Sequence, residues 1–264
     1  MKIGFIGCGN MAKAILQGIL SQDIVTPDDI VASNTTEAHA EENRTRFGIH
    51  TTTDNTAVVE SADIVFLSVK PQQYEQVIAA ITDRVRDEQI VVTIAPGKTI
   101  AWLEEAFGKP VKIVRTMPNT PALVKAGLTS YCVNELVTAE DMAQVEELLA
   151  SFGAIQKMKE SLIDVASSLG GSAPAYVYMM IEALADGAVS EGMPRGQAYE
   201  IAAQMVLGSA KMVLESGKHP GQLKDEVCSP AGSTIKGLEV LEKAGFRGTL
   251  IDAIRTCTGA ARSL

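Results

Sequence analysis

The chain has 264 residues, a length that suits one large domain or two smaller ones. Hydrophobic residues make up 46% and charged residues 21%, which is typical of a globular protein with a sizeable core. The formal net charge of −9, with no block of lysines or arginines, argues against non-specific binding to nucleic acid or to an anionic membrane, since both need a positive protein surface.

The first 160 residues alternate short apolar runs with amphipathic stretches. Several runs are rich in Val and Ile without alternating polarity, as expected for parallel strands covered on both faces. The predicted strands are 2–6, 29–33, 49–52, 63–69, 89–95 and 111–116, and the predicted helices between them are 10–21, 37–47, 55–61, 72–85 and 99–107. Two weaker strands, 128–133 and 154–158, flank a helix near 139–151. This order predicts an α/β fold with a doubly wound parallel sheet of the Rossmann type.

The turn after the first predicted strand reads Gly7-Cys8-Gly9-Asn10-Met11-Ala12 and leads into a helix, which is the context that a dinucleotide-binding Gly-x-Gly-x-x-Gly/Ala motif requires. Gly7 permits a tight turn, Gly9 lets the backbone approach a pyrophosphate, and Ala12 allows close contact between helix and strand. The first amide groups of the helix can then bind the anion. We therefore predict that this turn binds a dinucleotide rather than serving only as a structural turn.

The end of the second predicted strand, where NAD-dependent enzymes usually carry Asp or Glu, reads Ala32-Ser33-Asn34-Thr35-Thr36. The first carboxylate after it is Glu37, so no acidic group repels a 2′-phosphate and several side chains can donate hydrogen bonds to one. NADPH is the predicted cofactor, and NADH stays open because no arginine stands at the site. The same stretch is also compatible with an N-cap of the next helix.

Two further stretches follow predicted strands at the edge where open α/β sheets bind ligands, namely Val69-Lys70-Pro71 and Ala95-Pro96-Gly97-Lys98. Pro71 and Gly97 have ordinary roles in a first helical turn and in a tight turn, which do not exclude contact with a ligand. Lys70 closes a buried strand and must face either solvent or an anion, and both alternatives stay open.

From about residue 161 the strand signals stop, and apolar residues at helical spacing predict an all-α domain over 161–264 that follows a dinucleotide-binding domain over 1–160. These helices are rich in Ala, Gly and Ser and poor in aromatic residues. A domain of this size is then short of core-forming side chains, which favours an oligomeric interface.

Within the helical part, the stretch CSPAGSTI (228–235) has residues that suit a substrate-binding site. Ser229 and Pro230 resemble an N-cap and a first helical residue. The small residues leave the amides of Gly232, Ser233 and Thr234 accessible, and such a helix start can hold a carboxylate beside the Thr234 hydroxyl. Ordinary helix capping explains the same residues, so both alternatives stay open.

The four cysteines are widely separated and form no Cys-x-x-Cys pair, so we expect reduced thiols and no metal site. A strand predicted almost at the N-terminus leaves no signal-peptide pattern, and no apolar run approaches the roughly 20 residues of a membrane span. These features predict a cytoplasmic location. The three histidines, His39, His50 and His219, are predicted to be non-catalytic.

Six motifs occur in order along nearly the whole chain: GFIGCGNMA (4–12), SVKPQ (68–72), VRTMPNTPA (114–122), GGSAPAY (170–176), HPGQLKDEVCSPAGSTI (219–235) and LEKAGFR (241–247). Together they resemble the pyrroline-5-carboxylate reductase family, and the cluster over 219–247 is the most diagnostic part. The chain departs from the family's Ser-Pro-Gly-Gly-Thr-Thr sequence at Ala231 and Ser233.

The resemblance implies that the protein reduces 1-pyrroline-5-carboxylate to L-proline with NAD(P)H, the last step of proline biosynthesis. It implies cofactor contacts at Ile6, Gly7, Cys8, Gly9, Asn10, Met11, Asn34, Asn55, Val69, Lys70, Ala95, Pro96 and Gly97. It also implies that the amides of Gly232, Ser233 and Thr234 hold the substrate carboxylate, while the Thr234 hydroxyl meets the ring nitrogen as the catalytic group. The family further implies a homodimer through the C-terminal helices, often assembled into a decamer, in which one subunit's nucleotide domain and its partner's helical domain share an active site.

Two alternatives stay open. Another NADP-dependent reductase, acting on a different imine or of the β-hydroxyacid dehydrogenase type, would share the glycine turn, but the second type needs a lysine that the stretch 175–191 lacks. A nucleotide-sensing protein without catalytic activity would also retain the turn. The intact Ser-Pro-Ala-Gly-Ser-Thr stretch argues against such a sensor.

Overall fold

The computed structural model describes residues 1–262, and the chain folds into two compact units. The first contains Met1–Gly171 and residues 258–262, and the second contains Ser172–Cys257. The predicted boundary between residues 160 and 161 lies earlier in the chain than this division. The residues that follow it are tied to the first unit, because the buried Arg115 donates hydrogen bonds of 3.0 Å to both Glu160 and Asp164.

The first unit is built on one eight-stranded sheet with the order β3-β2-β1-β4-β5-β6-β7-β8. Its strands are β1 (Ile3–Ile6), β2 (Ile30–Ser33), β3 (His50–Thr52), β4 (Ile64–Leu67), β5 (Ile90–Thr93), β6 (Lys112–Met117), β7 (Gly127–Val133) and β8 (Gly153–Lys157). The strand order reverses beside β1, which confirms the predicted doubly wound arrangement. The carboxyl ends of β1, β2, β4 and β5 therefore lie along one edge of the sheet.

The two weaker predicted strands extend this sheet as β7 and β8. β7 runs antiparallel to β6, whereas β8 runs parallel to β7. The connection from β6 to β7 includes only a short 3₁₀ turn, Thr120–Val124, and such a short connection can join antiparallel strands but not parallel ones. The predicted parallel sheet thus ends at β6, and a mixed part follows.

The helices of the first unit are α1 (Asn10–Leu20), α2 (Glu37–Phe47), α3 (Asn55–Ser61), α4 (Tyr74–Ile81), α5 (Ile100–Phe107), α6 (Ala139–Ala150) and α7 (Ile163–Ala166), and a π-helical stretch follows at Ser167–Ser172. The predicted helix over 72–85 is shorter than expected. A 3₁₀ turn stands at each end of α4, because bonds such as Gln73 N–H to the Lys70 carbonyl (2.9 Å) close the turn after three residues instead of four.

Both faces of the sheet are covered by apolar side chains. β1 and β4 are buried along their entire length, and the rings of Phe5 and Phe66 stack with their centroids 4.8 Å apart. A Cβ atom added to Gly4 would lie 2.6 Å from Cγ1 of Val58. β1 and α3 therefore pack more closely than a residue with a side chain at position 4 would allow. This packing fixes the strand ends from which the predicted site residues come.

The second unit is helical and contains α8 (Ala173–Ser190), α9 (Arg195–Ser216), α10 (Pro220–Val227), α11 (Ser233–Lys243) and most of α12 (Phe246–Ala261). Among residues 172–257, the buried ones are Ala185, Ala198 and Ala202. Large apolar side chains of the same helices are exposed, including Tyr178, Met179, Leu184, Ile201, Met205, Leu207, Met212 and Leu214. A single copy of this unit therefore has little core of its own.

Within residues 1–262 we find no helix that combines the length and the apolar character needed to cross a membrane.

Candidate active site

The turn between β1 and α1 has the conformation that the glycine motif predicts. Gly7 has a φ of +85°, which favours glycine, and an added Cβ would lie 2.8 Å from Cγ1 of Val69. Gly9 is the N-cap of α1, and a Cβ there would meet no atom within 4 Å. No side chain caps this helix, and its first turn holds no acidic residue, so its first amides remain for an anion beside the open space at Gly9.

The other predicted residues of this turn differ in exposure. Ile6 is fully buried, so it can reach a cofactor only through its backbone, whereas Asn10 is exposed and Met11 is half-buried. Cys8 is buried, and burial raises the pKa of its thiol to about 11. Cys8 is therefore an uncharged thiol at neutral pH, and its position suits packing rather than reaction.

A cavity of about 230 Å³ lies beside the turn, and it brings together the predicted residues Gly7, Asn34, Asn55 and Val69. The remaining lining residues are Ser33, Thr35, Thr53, Gln73, Gln76, Val77 and Ala80. Ser33 and Thr35 belong to the polar stretch that the sequence singled out. The residues from α4 and its preceding turn were missed, because exposed Gln and Ala on a helix are typical of any solvent-facing surface.

Hydrogen bonds connect the glycine turn to the end of β2 and the start of α3. The Gly7 N–H donates to Ser33 Oγ at 3.3 Å, and the Ser33 hydroxyl donates to Asn55 Oδ1 at 2.6 Å. The N-cap role that the sequence left open belongs to Thr36, whose hydroxyl accepts from His39 N–H. The Ser33 hydroxyl is engaged in the two bonds above, so Asn34 and Thr35 remain available to a ligand. The turn, β2 and the start of α3 thus form one connected wall.

The chemistry of this wall fits the adenosine end of a phosphorylated dinucleotide. Its polar groups are hydroxyls and amides, and none of its described lining residues is Asp or Glu. A 2′-phosphate would meet hydrogen-bond donors without repulsion, and the uncapped start of α1 suits the pyrophosphate. The cavity lining also lacks Lys and Arg, so NADH is not excluded by charge.

Four predicted residues lie at the same sheet edge but do not line this cavity. Lys70 is exposed and precedes the 3₁₀ turn at Pro71–Gln73, and Ala95 is buried just after β5. Gly97 has a φ of +75° and, with Pro96, forms the turn towards α5. Because β4 and β5 follow β1 in the order of the sheet, these residues continue the edge away from the cavity at Asn34.

The predicted substrate stretch forms a turn and a helix start in the second unit. Gly232 N–H donates to the Ser229 carbonyl at 3.0 Å, and Ala231 has a φ of +57°, a conformation that favours glycine. The expectation that Ser229 and Pro230 begin the helix is wrong. The left-handed conformation of Ala231 interrupts the helix there, and α11 begins at Ser233 with Gly232 as its N-cap.

The start of α11 has free donors. Its N-cap has no side-chain hydrogen bond and its first turn has no acidic residue, while Ser233 and Thr234 are exposed. A Cβ on Gly232 would meet Ser229 Oγ, which can rotate away, and the φ of −68° at Gly232 suits any residue, so glycine fits this turn without being required by it. The segment therefore offers backbone amides and two hydroxyls, a set that suits a small carboxylate.

The histidines have ordinary surroundings. His219 is the N-cap of α10 and its Nδ1 accepts from Gly221 N–H at 3.0 Å, while His39 and His50 are exposed. Across residues 1–262, no three side chains of His, Cys, Asp or Glu are grouped so that they could hold a metal ion.

Comparison with known proteins finds a family model for each half of the chain and similar proteins along its full length. A family model described as "Pyrroline-5-carboxylate reductase dimerisation" matches residues 160–264, and one described as "NADP oxidoreductase coenzyme F420-dependent" matches residues 2–97. The pyrroline-5-carboxylate reductase of Escherichia coli (strain K12) is 48% identical over 263 residues, which span 100% of this chain and 98% of that protein.

Solved structures give the same result. A pyrroline-5-carboxylate reductase from Coxiella burnetii has a TM-score of 0.92 at 34% identity, covering 99% of this chain and 97% of its own. A pyrroline carboxylate reductase from Plasmodium falciparum, crystallised with NADP, has a TM-score of 0.91 at 32% identity. The match covers 100% of this chain and 97% of that protein's chain.

Proposed function

The chain belongs to the pyrroline-5-carboxylate reductase family, and we infer from this that it transfers a hydride from NAD(P)H to 1-pyrroline-5-carboxylate to give L-proline. The observation that carries the inference is the 48% identity to a relative of that name over the full length of the chain. The similarity covers both the glycine turn and the Ser229–Thr234 segment. The predicted family, enzyme class and cofactor type are thereby confirmed.

We propose that the first unit binds the dinucleotide in two places. The amides at the start of α1 would hold the pyrophosphate, and the cavity lined by Asn34 and Asn55 would hold the adenosine end with its 2′-phosphate. The open space at Gly9 and the absence of a carboxylate in the described cavity lining support this arrangement. The predicted contacts at Val69, Lys70 and 95–97 would follow the dinucleotide along the sheet edge towards the nicotinamide.

We propose that the start of α11 binds the substrate. The amides of Ser233 and Thr234 would hold its carboxylate, and the Thr234 hydroxyl would meet the ring nitrogen. The Gly232 N–H already donates to the Ser229 carbonyl, so the predicted contact at Gly232 would require that bond to open. The uncapped helix start and the exposure of Thr234 support this assignment. A helix N-terminus favours an anion through its free N–H groups and its dipole.

The reaction then requires no acid, base or nucleophile from the protein's side chains. The bound dinucleotide supplies the hydride, and a cyclic imine becomes a strong electrophile once its nitrogen carries a proton from water or buffer. The protein contributes binding and orientation, which place the imine carbon against the nicotinamide. Thr234 orients the ring through its hydroxyl and need not transfer a proton, so its loss would slow the reaction without abolishing it.

We propose that the functional form is a homodimer through the C-terminal helices, with further assembly to a decamer. The exposed apolar side chains of α8 and α9, set against three buried alanines in residues 172–257, support burial against another copy. One copy's nucleotide unit and its partner's helical unit would then form each active site. Light scattering on the purified protein measures the assembly, and a monomer at micromolar concentration would contradict it.

We also propose a cytoplasmic location. All four cysteines lie in the described part of the chain and none is in a disulfide, which is typical of a reducing compartment. Cell fractionation with an antibody to the chain tests this, and recovery outside the cytoplasm would contradict it.

The activity is tested by NADPH oxidation with 1-pyrroline-5-carboxylate, followed by absorbance, with NADH in parallel. We expect oxidation that yields proline. The matched control is Thr234→Ala, which leaves the dinucleotide site intact. Folded protein that binds NADPH but oxidises neither cofactor with this substrate would contradict the assigned reaction.

A further inference from the structure

A fully buried asparagine stands behind the adenosine cavity. The helix α2 buries Ala40 and Asn43, and Asn43 is 0% exposed. Its Nδ2 donates a hydrogen bond of 3.1 Å to Oδ1 of Asn34, while its own Oδ1 is buried without a partner. An unpaired buried oxygen is unfavourable, and an apolar side chain of similar size would avoid it. Packing alone therefore does not explain an asparagine at this position.

The hydrogen bond determines what Asn34 can offer to a ligand. Asn34 lines the cavity, and because its Oδ1 is bound to Asn43, its Nδ2 group is the end of the amide left for the ligand. Asn55 is held in the same way, since its Oδ1 accepts from Ser33. Asn34 and Asn55 therefore both present donors rather than acceptors.

We infer that Asn43 is a positioning residue for cofactor selectivity: it holds the Asn34 amide with its donor towards the cavity, and this favours a dinucleotide with a 2′-phosphate over one with a 2′-hydroxyl. The inference rests on the proposed function, in which this cavity holds the adenosine end. A phosphate oxygen only accepts hydrogen bonds, so it gains from this orientation. A ribose hydroxyl can donate as well as accept, so it binds either end of an amide and gains nothing specific.

The opposite orientation shows why Asn43 matters. If the side-chain amides of Asn34 and Asn43 were both rotated by half a turn, Asn34 Nδ2 would donate to Asn43 Oδ1 and satisfy that buried oxygen. Asn34 Oδ1 would then face the cavity. An amide oxygen there repels a phosphate and accepts from a hydroxyl. A carboxylate at position 43 can only accept, so Asn43→Asp imposes this second orientation.

The experiment measures dissociation constants for NADP⁺ and NAD⁺ by calorimetry, on the full chain and without substrate. Asn43→Asp is expected to lower the ratio of NADP⁺ to NAD⁺ affinity by about tenfold or more, because a hydrogen bond to a charged group is lost and the new carboxylate also repels the 2′-phosphate; the uncharged leucine variant isolates the hydrogen bond. Asn43→Leu, which removes the hydrogen bond while keeping the size, is expected to lower it by about threefold because Asn34 is no longer held. The matched control is Thr45→Gly, at an exposed position of the same helix, which weakens the helix and should leave the ratio unchanged.

The ratio of NADP⁺ to NAD⁺ affinity separates a change in selectivity from general damage, since a merely structural defect weakens the binding of both dinucleotides together. An unchanged ratio in both Asn43 variants overturns the inference, and if the aspartate variant does not fold, the leucine variant decides alone. A third variant, Asn34→Ala, distinguishes a failure of the inference about Asn43 from a failure of the proposed adenosine site. If it shifts the ratio while the Asn43 variants do not, the cavity assignment stands and only the inference fails. If it leaves the ratio unchanged, the placement of the adenosine end and the inference both fail.

Discussion

Gly7 and Val69 are packed so closely that a Cβ atom added to Gly7 would lie 2.8 Å from Cγ1 of Val69. The first residue follows β1 and the second follows β4, so this approach joins the glycine turn to the end of the neighbouring strand. Gly7 also has a φ of +85°, which other residues rarely adopt. The position of the turn therefore depends on glycine for two independent reasons.

Substitution of Gly7 and of Gly9 should separate folding from cofactor binding. We expect Gly7→Ala to lower the free energy of unfolding by about 2–4 kcal/mol through backbone strain and overpacking. Gly9→Ala meets no atom within 4 Å and keeps a negative φ, so we expect a loss below about 1 kcal/mol together with weaker NADP⁺ binding. Urea denaturation and calorimetric titration measure the two quantities. Equal destabilisation by both variants would contradict the assigned roles.

Removal of the Thr234 hydroxyl should slow catalysis without affecting the fold. Because Thr234 is exposed and its proposed role is orientation, we expect Thr234→Ala to lower kcat/KM by about 10- to 100-fold while the melting temperature stays unchanged. Thr234→Ser keeps the hydroxyl and should retain most of the activity. Steady-state kinetics with both substrates varied provide the test, and an unchanged rate and KM in the alanine variant would remove Thr234 from the site.

Glycine at position 231 should stabilise the substrate turn. Ala231 has a φ of +57°, where an L-residue is strained by about 1–2 kcal/mol, and glycine relieves this strain at some loss of chain entropy. We expect Ala231→Gly to raise the free energy of unfolding by about 0.5–1 kcal/mol and to leave activity intact. The control is Ala79→Gly on an exposed position of α4, which should destabilise by about 1 kcal/mol. Destabilisation by both variants to the same degree would argue against strain at Ala231.

Loss of the buried Arg115 should detach the segment after β8. Its guanidinium bonds Glu160 and Asp164, whose side chains are 35% and 26% exposed. We expect Arg115→Met to destabilise the first unit by about 2–3 kcal/mol, below the value for a fully buried pair because water still reaches both carboxylates. Hydrogen exchange should rise first in residues 160–171. Unchanged exchange in that segment would show that Arg115 does not hold it.

The buried thiols should react slowly. Burial raises the pKa of Cys8 and that of Cys132 to about 11, so at pH 8 about one molecule in a thousand carries each thiolate. The thiolate fraction rises about tenfold with each pH unit below the pKa and becomes large only near pH 11. We expect iodoacetamide to modify both residues at least tenfold more slowly in the native protein than in urea, as measured by peptide mass analysis. Rapid modification of Cys8 at pH 8 would contradict its buried, neutral state.

Much of the candidate site could be predicted because it lies at strand ends. Gly7, Asn34 and Val69 each follow an apolar run, and the carboxyl ends of adjacent parallel strands meet at one edge of a sheet. Gln76 and Ala80 could not be found in this way, since they come from the side of a helix whose exposed residues carry no pattern of their own. The same limit applies to Asn43, which reads as one more polar residue in a polar helix until its burial is known.

The sequence by itself determined the order of strands and helices, the glycine turn before α1 and the helical character of the second half. These features follow from hydrophobic periodicity and turn chemistry, which act between residues close in the chain. Only the tertiary structure decided that β7 runs antiparallel, that the segment after β8 stays with the first unit, and that Asn34 presents its amide nitrogen to the cavity. Those features depend on interactions such as that of Arg115 with Asp164, whose partners are distant in sequence and are brought together by the packing of the sheet.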